Sequence, residues 1–356
     1  MNAMQNEAKV DVIVVGGGLA GIWTCFRLIA LNKKVALIDL PEGNCSSSIA
    51  AGIYNPLLAK HQKLSYKAHE IYPHIAEEYA RIEAYINEQV HHAMPIAYII
   101  DQLKTLNDWA GLCSDDRFKP FVSLNNERLS DNIISELGYL SIQSSAWVDI
   151  PHLMKAFNTA IQSKHIYLNQ TFDYTSLQIH EDHLRYQNLF ADKIVFCEGI
   201  GIQQNPFASH IRLKPAKGEI LLINSQCAVN DCIPQQGVFL LPVAPNTFKV
   251  GSNFEWQQLD TQITDSAKQE IVDKLCEWFK EPFEITDHKA GIRPSSHDRR
   301  PILGALDAHQ QLFVFNGLGS KGVALSPYYS QCLVDHMYNG TQIDDEVSVN
   351  RYKPKC

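Results

Sequence analysis

The sequence predicts an α/β protein in which a Rossmann-like dinucleotide-binding sheet is interrupted by an inserted α+β module built on an antiparallel sheet. The main observations are two strand, glycine turn, helix units at opposite ends of the chain, Lys9 to Leu40 and Leu312 to Tyr338. A third is the series of short segments between them that read as antiparallel strands. At 356 residues the chain exceeds a usual single core, so two domains, or one domain with a large insertion, are expected.

The first unit opens with Val10, Val12, Ile13, Val14 and Val15, a near-continuous β-branched run of the kind covered on both faces in a parallel sheet. It enters Gly16-Gly17-Gly18-Leu19-Ala20-Gly21, then helix-compatible residues from Ile22 to Leu31, then Val35 to Ile38, ending on Asp39. Gly16 lets the chain turn, Gly18 lets backbone N–H groups approach a pyrophosphate at the helix N-terminus, and Gly21 lets helix and strand pack closely. Asp39 stands 18 residues past Gly21, where a carboxylate can accept hydrogen bonds from a ribose diol. The stretch Pro41 to Ser48 follows. In isolation its serines read as a solvated loop, but beside a nucleotide unit Ser47 and Ser48 offer donors to a diphosphate. Ala50-Ala51-Gly52 would let a flat ring system lie close to the backbone.

Lys63 to Val90, with Ile71, Ile75, Tyr79, Ile82 and Ile86 in repeat, is expected to be one long helix bent at Pro73. Ile96 to Ile100, a helical Gln102 to Leu112, and Leu137 to Ser141 begin the inserted module. Asp149 is the expected N-cap of a helix reaching Ser163. Ile166 to Leu168, Leu177 to His180 and His183 to Tyr186 suggest a small meander. Asp192 to Cys197 is a further buried strand, ending in the glycines Gly199 and Gly201. Leu213 to Ile223, Gly237 to Val243 and Thr247 to Gly251, with a helix from Thr264 to Lys280, complete the module. The chain then returns through Ile285 to Ile292 and the loop Arg293 to Gly304. Residues 1–90, 145–212 and 285–356 are thus expected to form a discontinuous cofactor domain, and 91–144 with 213–284 a substrate-binding domain.

Composition narrows the function classes. Lys plus Arg total 31 against 39 for Asp plus Glu, and the resulting net charge of −8 disfavours a polyanion as the main ligand. No run of about 18 apolar residues occurs and the N-terminus has no signal-peptide pattern, so no membrane insertion and a cytoplasmic location are expected. The nine cysteines form no CxxC pair and the histidines are scattered, which argues for buried thiols and against a metal site.

Two segments carry the chemistry. Asn316-Gly317-Leu318-Gly319-Ser320-Lys321-Gly322 repeats the strand, glycine turn, helix grammar of the opening. An ordinary NAD-dependent dehydrogenase does not need this second turn. FAD makes sense of it, with one helix N-terminus on the diphosphate and the other aimed at the pyrimidine edge of the flavin, where negative charge develops on reduction. Upstream, Arg293 lies between Gly291 and Pro294, held between strand and loop, where it is suited to bidentate capture of a carboxylate. Asp298 could instead pair with Arg293, Arg299 or Arg300 and only shape the loop.

In these pieces the sequence resembles the D-amino acid oxidase-like FAD-dependent oxidoreductases, a family that includes glycine oxidase, sarcosine oxidase, amino acid dehydrogenases and the FAD domain of a tRNA-modifying enzyme. The resemblance rests on GGGLAG (16–21), SSIAAGIYNP (47–56), WVDIPHLMKAF (147–157), ADKIVFCEG (191–199), LKPAKGEILLI (213–223), AGIRPSSHDRRPILG (290–304) and GLGSKGVALSP (317–327), in that order. It implies a glutathione reductase-type FAD-binding domain with an inserted substrate domain. The cofactor residues it implies are Gly16, Gly18, Leu19, Ala20, Gly21, Asp39, Ser47, Ser48, Ala51, Gly52, Gly199, Gly317, Gly319, Ser320, Lys321 and Gly322. Arg293 matches the arginine that anchors the substrate carboxylate, and Lys321 is expected near the flavin. Three departures stand out: Asp39 replaces the usual glutamate, Phe239 stands where a tyrosine is frequent, and no cysteine lies between Cys276 and Cys332 to bind flavin covalently.

The expected function is FAD-dependent oxidation of the C–N bond of a small amine or amino acid, with hydride transfer to flavin N5 and hydrolysis of the resulting imine. Dissociable FAD, reoxidation by O2 or a carrier, and an open question of homo-oligomerisation go with it. Three alternatives remain. One is modification of a carboxymethylaminomethyl-type tRNA base, with Lys60, His61 and Lys63 as a local basic patch, another is a non-catalytic or subunit role in a larger flavoprotein complex, and the third is simple NAD binding.

Overall fold

The computed structural model describes residues 7–40, 45–227, 229 and 231–352. Met1 to Gln5, Pro41 to Asn44 and Cys356, which entered the sequence analysis, lie outside the described residues. The β-branched run forms the strand Ala8–Val15, central in an eight-stranded sheet. Val12 and Val14 pack in one core cluster with Trp23 and Leu28 of the helix Leu19–Ala30. Ile13 and Val15 pack in a second cluster on the other face, with Ile194 and Phe196. Both faces are covered, as an unbroken apolar strand requires.

Ala8–Val15 pairs in parallel with Val35–Asp39 on one side and Leu189–Phe196 on the other. Ile166–Asn169 pairs with Val35–Asp39, also in parallel, after the helix Ile150–Gln162, which Asp149 caps by accepting from the His152 N–H at 3.2 Å. The free edge of Leu189–Phe196 is shared. The antiparallel strands Leu177–Ile179 and Leu184–Tyr186 continue from its start, and Leu312–Asn316 pairs in parallel with its end. Behind this sheet the helices Leu19–Ala30, Ile75–Ile86 and Gly322–Asn339 are tied by Arg27, which bonds Glu78 and donates to the Pro327 carbonyl at 2.9 Å.

A second eight-stranded sheet has the order Phe283–Arg293, Ala216–Ser225, Thr247–Gly251, Val238–Ala244, Ile233–Gln236, Ile96–Ile99, Tyr139–Ile142, Val122–Asn125. All its pairings are antiparallel except that of Ile233–Gln236 with Ile96–Ile99. The helix Asp265–Cys276 closes its core through Ile271 and Leu275.

Four expectations change. The long helix over Lys63 to Val90 is instead a hairpin strand Lys63–Leu64, a short helix Ala68–Ile71, a 3₁₀ turn Tyr72–His74 and the helix Ile75–Ile86. Pro73, lacking an N–H, breaks it rather than bending it, and Lys67 already has a left-handed backbone. Ile166–Asn169 is no part of a meander, since the helix before it serves as a crossover that returns it parallel to Val35–Asp39. Ser46–Ile49 is a short helix rather than a loop. Finally, Phe283–Arg293, expected in the cofactor domain from residue 285, is an edge strand of the second sheet, paired along its length with Ala216–Ser225.

Candidate active site where the two sheets meet

The strands Ala8–Val15, Leu189–Phe196 and Leu312–Asn316 all end on a cavity of about 360 Å³, reached through Gly16, Cys197 and Asn316. Ligands of open parallel sheets bind at this C-terminal edge. The second sheet supplies a further wall through Gly218, Ile220, Phe239 and Gly291.

The glycine turn has two kinds of glycine. A Cβ on Gly21 would stand 1.8 Å from the Gly16 carbonyl oxygen, and one on Gly16 would stand 2.5 Å from that of Cys197, so the fold itself excludes side chains there. At Gly18 the nearest atom would be the Ser47 hydroxyl at 3.1 Å, and its φ of −72° suits any residue. Protein packing makes little demand for glycine at 18; the cavity beside it does. Ser47 Oγ also accepts from the Leu19 N–H at 3.2 Å. Gly18 caps the helix Leu19–Ala30 without a side-chain bond, leaving N–H groups of its first turn for an anion. Asp39 accepts from the Gly17 and Leu40 N–H groups, and burial, outweighing these bonds, pushes its carboxyl above the ordinary value.

The second turn faces the same cavity with Gly319, Ser320, Gly322 and Val323. The helix Gly322–Asn339 also begins without a side-chain cap. Two open helix N-termini on one cavity, with a carboxyl group at Asp39, fit the diphosphate, ribose and pyrimidine edge of FAD. Leu19, Ala20, Ser47, Ala51, Gly52 and Gly199 line the cavity as well. Four expected residues do not. Gly21 serves packing, and Ser48 donates to the Cys45 carbonyl at 2.8 Å. Gly317 turns against Ile302, and the 3₁₀ turn Gly319–Lys321 carries the Lys321 ammonium to Ser65 Oγ at 3.4 Å, outside the cavity lining.

Arg293 lines the cavity at the end of its strand. Its guanidinium donates to Ser252 Oγ at 2.8 Å and to the carbonyls of Lys217 at 3.2 Å and Asn253 at 3.3 Å, and it lies 4.2 Å from the Phe254 ring centroid. No carboxylate pairs with it among the described residues, and burial alone pushes it down to about 10, still cationic at neutral pH. Asp298, the alternative partner, pairs with Arg351 at 3.1 Å, and Arg300 pairs with Glu346 at 2.6 Å.

Several cavity residues escaped the sequence analysis. Gly218 sits inside a strand because a Cβ there would stand 1.9 Å from the Arg293 guanidinium; a glycine within a strand, between Lys217 and Glu219, was the available signal. Asn316 fixes the second turn, accepting from the Gly317 N–H at 2.7 Å and donating to the Gly199 carbonyl at 2.9 Å. Glu198, a cavity residue held by Tyr174 and by Asn205 at 2.8 Å, is raised by burial; nothing in the sequence singled it out.

A nucleotide-type sheet whose two glycine turns converge with a substrate-sized second sheet defines a flavin-dependent oxidoreductase by class. The family follows from the whole chain: a family model described as "DAO: FAD dependent oxidoreductase" matches residues 11–336, and the protein belongs to that family. Glycine oxidase of Pseudomonas putida is 24% identical over 359 residues, covering 94% of this chain and 96% of its own. The tRNA 5-methylaminomethyl-2-thiouridine biosynthesis bifunctional protein MnmC of Actinobacillus pleuropneumoniae is 24% identical, covering 92% of this chain, which spans only 56% of that protein. Among solved structures, glycine oxidase from Geobacillus kaustophilus superposes with a TM-score of 0.80 at 19% identity, covering 96% of this chain and 99% of that one. The protein is thus an FAD-dependent oxidoreductase. No described helix is long and apolar enough to cross a membrane.

Proposed function

We propose that the protein oxidises the C–N bond of a small amino acid, with Arg293 as the anchor of the substrate carboxylate. The observation that carries this reading is the cavity-lining guanidinium without a carboxylate partner among the described residues. A buried cation left without a counter-charge is costly, and a substrate carboxylate would relieve that cost while fixing the α-carbon. FAD, when bound, supplies the two-electron acceptor for the hydride leaving that carbon. The turn at Gly18 with Ser47 and Asp39 would hold the ADP half, and the turn at Gly319 to Gly322 the flavin end. Gly218 leaves room for the guanidinium, and Ser252 with the Lys217 and Asn253 carbonyls orient it. The Phe239 ring offers an apolar wall and no second donor to the carboxylate. Loss of hydride and a proton leaves an imine, which water hydrolyses to a carbonyl compound and ammonia or a smaller amine. With no cysteine between Cys276 and Cys332, FAD would be held without a covalent link.

The test is trapping of the carbonyl product, with ammonia measured in the same reaction, across amino acids from glycine to phenylalanine. Equal amounts of both support the reading, and no carbonyl from any of them sinks it.

A tRNA substrate is a second reading, favoured by the likeness to MnmC and by Lys60, His61 and Lys63, exposed around the tip of the hairpin formed by Leu57–Leu58 and Lys63–Leu64. Salt-sensitive retention of tRNA near physiological ionic strength would support it, and no retention would remove it.

A further inference from the structure

Half of the exposed large hydrophobic side chains among the described residues fall in one loop, between the strand Thr247–Gly251 and the helix Asp265–Cys276. They are Phe254, Trp256, Leu259 and Ile263. The loop is fixed rather than loose. Lys217 and Glu255 exchange backbone hydrogen bonds of 2.8 and 3.0 Å. The Lys217 ammonium, buried with its side chain 1% exposed, reaches Asp260 at 2.8 Å and bonds the Gln262 carbonyl. The Glu219 N–H donates to Asn253 Oδ1 at 2.8 Å, and the Glu219 carboxylate accepts from the Thr264 N–H and hydroxyl, each at 3.0 Å.

Held in this way, the loop contributes Ser252 and Thr261 to the cavity lining, lays the Phe254 ring on the cavity-lining Arg293 guanidinium and sets Trp256 next to Phe254. Phe254 is 51% exposed and Trp256 57%. Their centroids are 5.9 Å apart with planes 18° from parallel, and Phe254 touches the Arg293 guanidinium. Apolar side chains fixed in water at a cavity edge lose the hydrophobic term that burial would give, unless something covers them.

We propose that Phe254 and Trp256 form an outer subsite for a planar apolar group of the substrate, so that the preferred substrate is an amino acid bearing an aryl substituent on its nitrogen or side chain rather than glycine. The proposal rests on Arg293 holding the substrate carboxylate. From that anchor, a substituent extending out of the cavity passes the two rings. Offset stacking on them adds to area burial, worth up to about tenfold in affinity. Ile220 and Phe239 of the second sheet add apolar side chains to the same cavity.

Trp256 gives the subsite its own signal. The other four tryptophans, Trp23, Trp109, Trp147 and Trp278, are buried, so acrylamide quenching of tryptophan fluorescence in the FAD-loaded protein reads Trp256. The probe is N-benzylglycine, achiral and carrying carboxylate, amine and ring, with glycine as comparison. N-Benzylglycine is expected to shield Trp256 from acrylamide while glycine does not, and to bind at least about fivefold more tightly than glycine in a flavin absorbance titration. In Trp256→Ala that affinity ratio should fall toward one, and Trp256→Phe should restore most of it. Unshielded Trp256, or a ratio unmoved in Trp256→Ala, overturns the subsite even if amino acids reduce the flavin. If no amino acid is oxidised yet the ring still shields Trp256, the reaction is misassigned and the subsite stands. Trp256→Ala that loses tRNA retention without changing the ratio assigns the loop to nucleic acid and overturns the proposal.

Discussion

At Gly21 a methyl group would stand 1.8 Å from a backbone oxygen, whereas at Gly18 it would meet only the Ser47 hydroxyl at 3.1 Å, a side chain that can rotate away. Gly18→Ala should therefore fold, at a cost of about 1 kcal/mol from the weakened Ser47 to Leu19 bond, but purify with little FAD because the methyl occupies the diphosphate's approach. Gly21→Ala should lose several kcal/mol and be recovered poorly. Flavin content against unfolding temperature separates the two, and a Gly18→Ala protein with full flavin would contradict the ADP assignment. Asp39 gives a pH dependence. To accept both hydroxyls of a ribose diol it must be ionised, and burial raises it above its usual 3.8, so it takes up a proton at a higher pH than a free aspartate. FAD affinity should be flat above that raised value and fall as pH drops through it. Asp39→Asn should bind FAD more weakly and without this step, as flavin fluorescence on release between about pH 7 and about pH 4 would show.

Elements were legible where their own residues decide them. The run Val10 to Val15, the turn Gly16 to Gly21 and the Asp149 cap are local signals, and each forms the element it predicts. Asp149→Ala should cost about 1 kcal/mol in a urea unfolding series, the usual worth of an N-cap, and an unchanged midpoint would show that the His152 N–H finds another acceptor. Elements decided by distant partners were not legible. Phe283–Arg293 joins the second sheet because Ala216–Ser225 pairs with it, and Ile166–Asn169 joins the first because a helical crossover returns it beside Val35–Asp39. The helix over Lys63 to Val90 was overextended because its apolar spacing continues through Pro73, while the hairpin and the left-handed Lys67 leave no such pattern.

Across the whole molecule, one cavity is lined by the glycine turns of the first sheet and by residues of the second, and the proposed function puts the cofactor on the former and the substrate on the latter. Arg293 closes the second sheet's edge strand and lines the cavity shared with the glycine turns. Its residue type and loop context were readable from the sequence. Its lack of a carboxylate partner was not, because Asp298 stands close in sequence and only the fold takes it to Arg351. The same assembly explains why Lys321, inside the second glycine turn, points to Ser65 instead of the cavity. The most direct measurement is anaerobic bleaching of the bound flavin by amino acids, comparing the native chain with Arg293→Ala at matched FAD content. At least one amino acid should bleach the native protein, and its second-order rate constant should fall on the order of 10²-fold in Arg293→Ala, as expected when a buried charge pair loses one partner. Bleaching by none of them, or equal rates in the two proteins, would contradict carboxylate anchoring at Arg293.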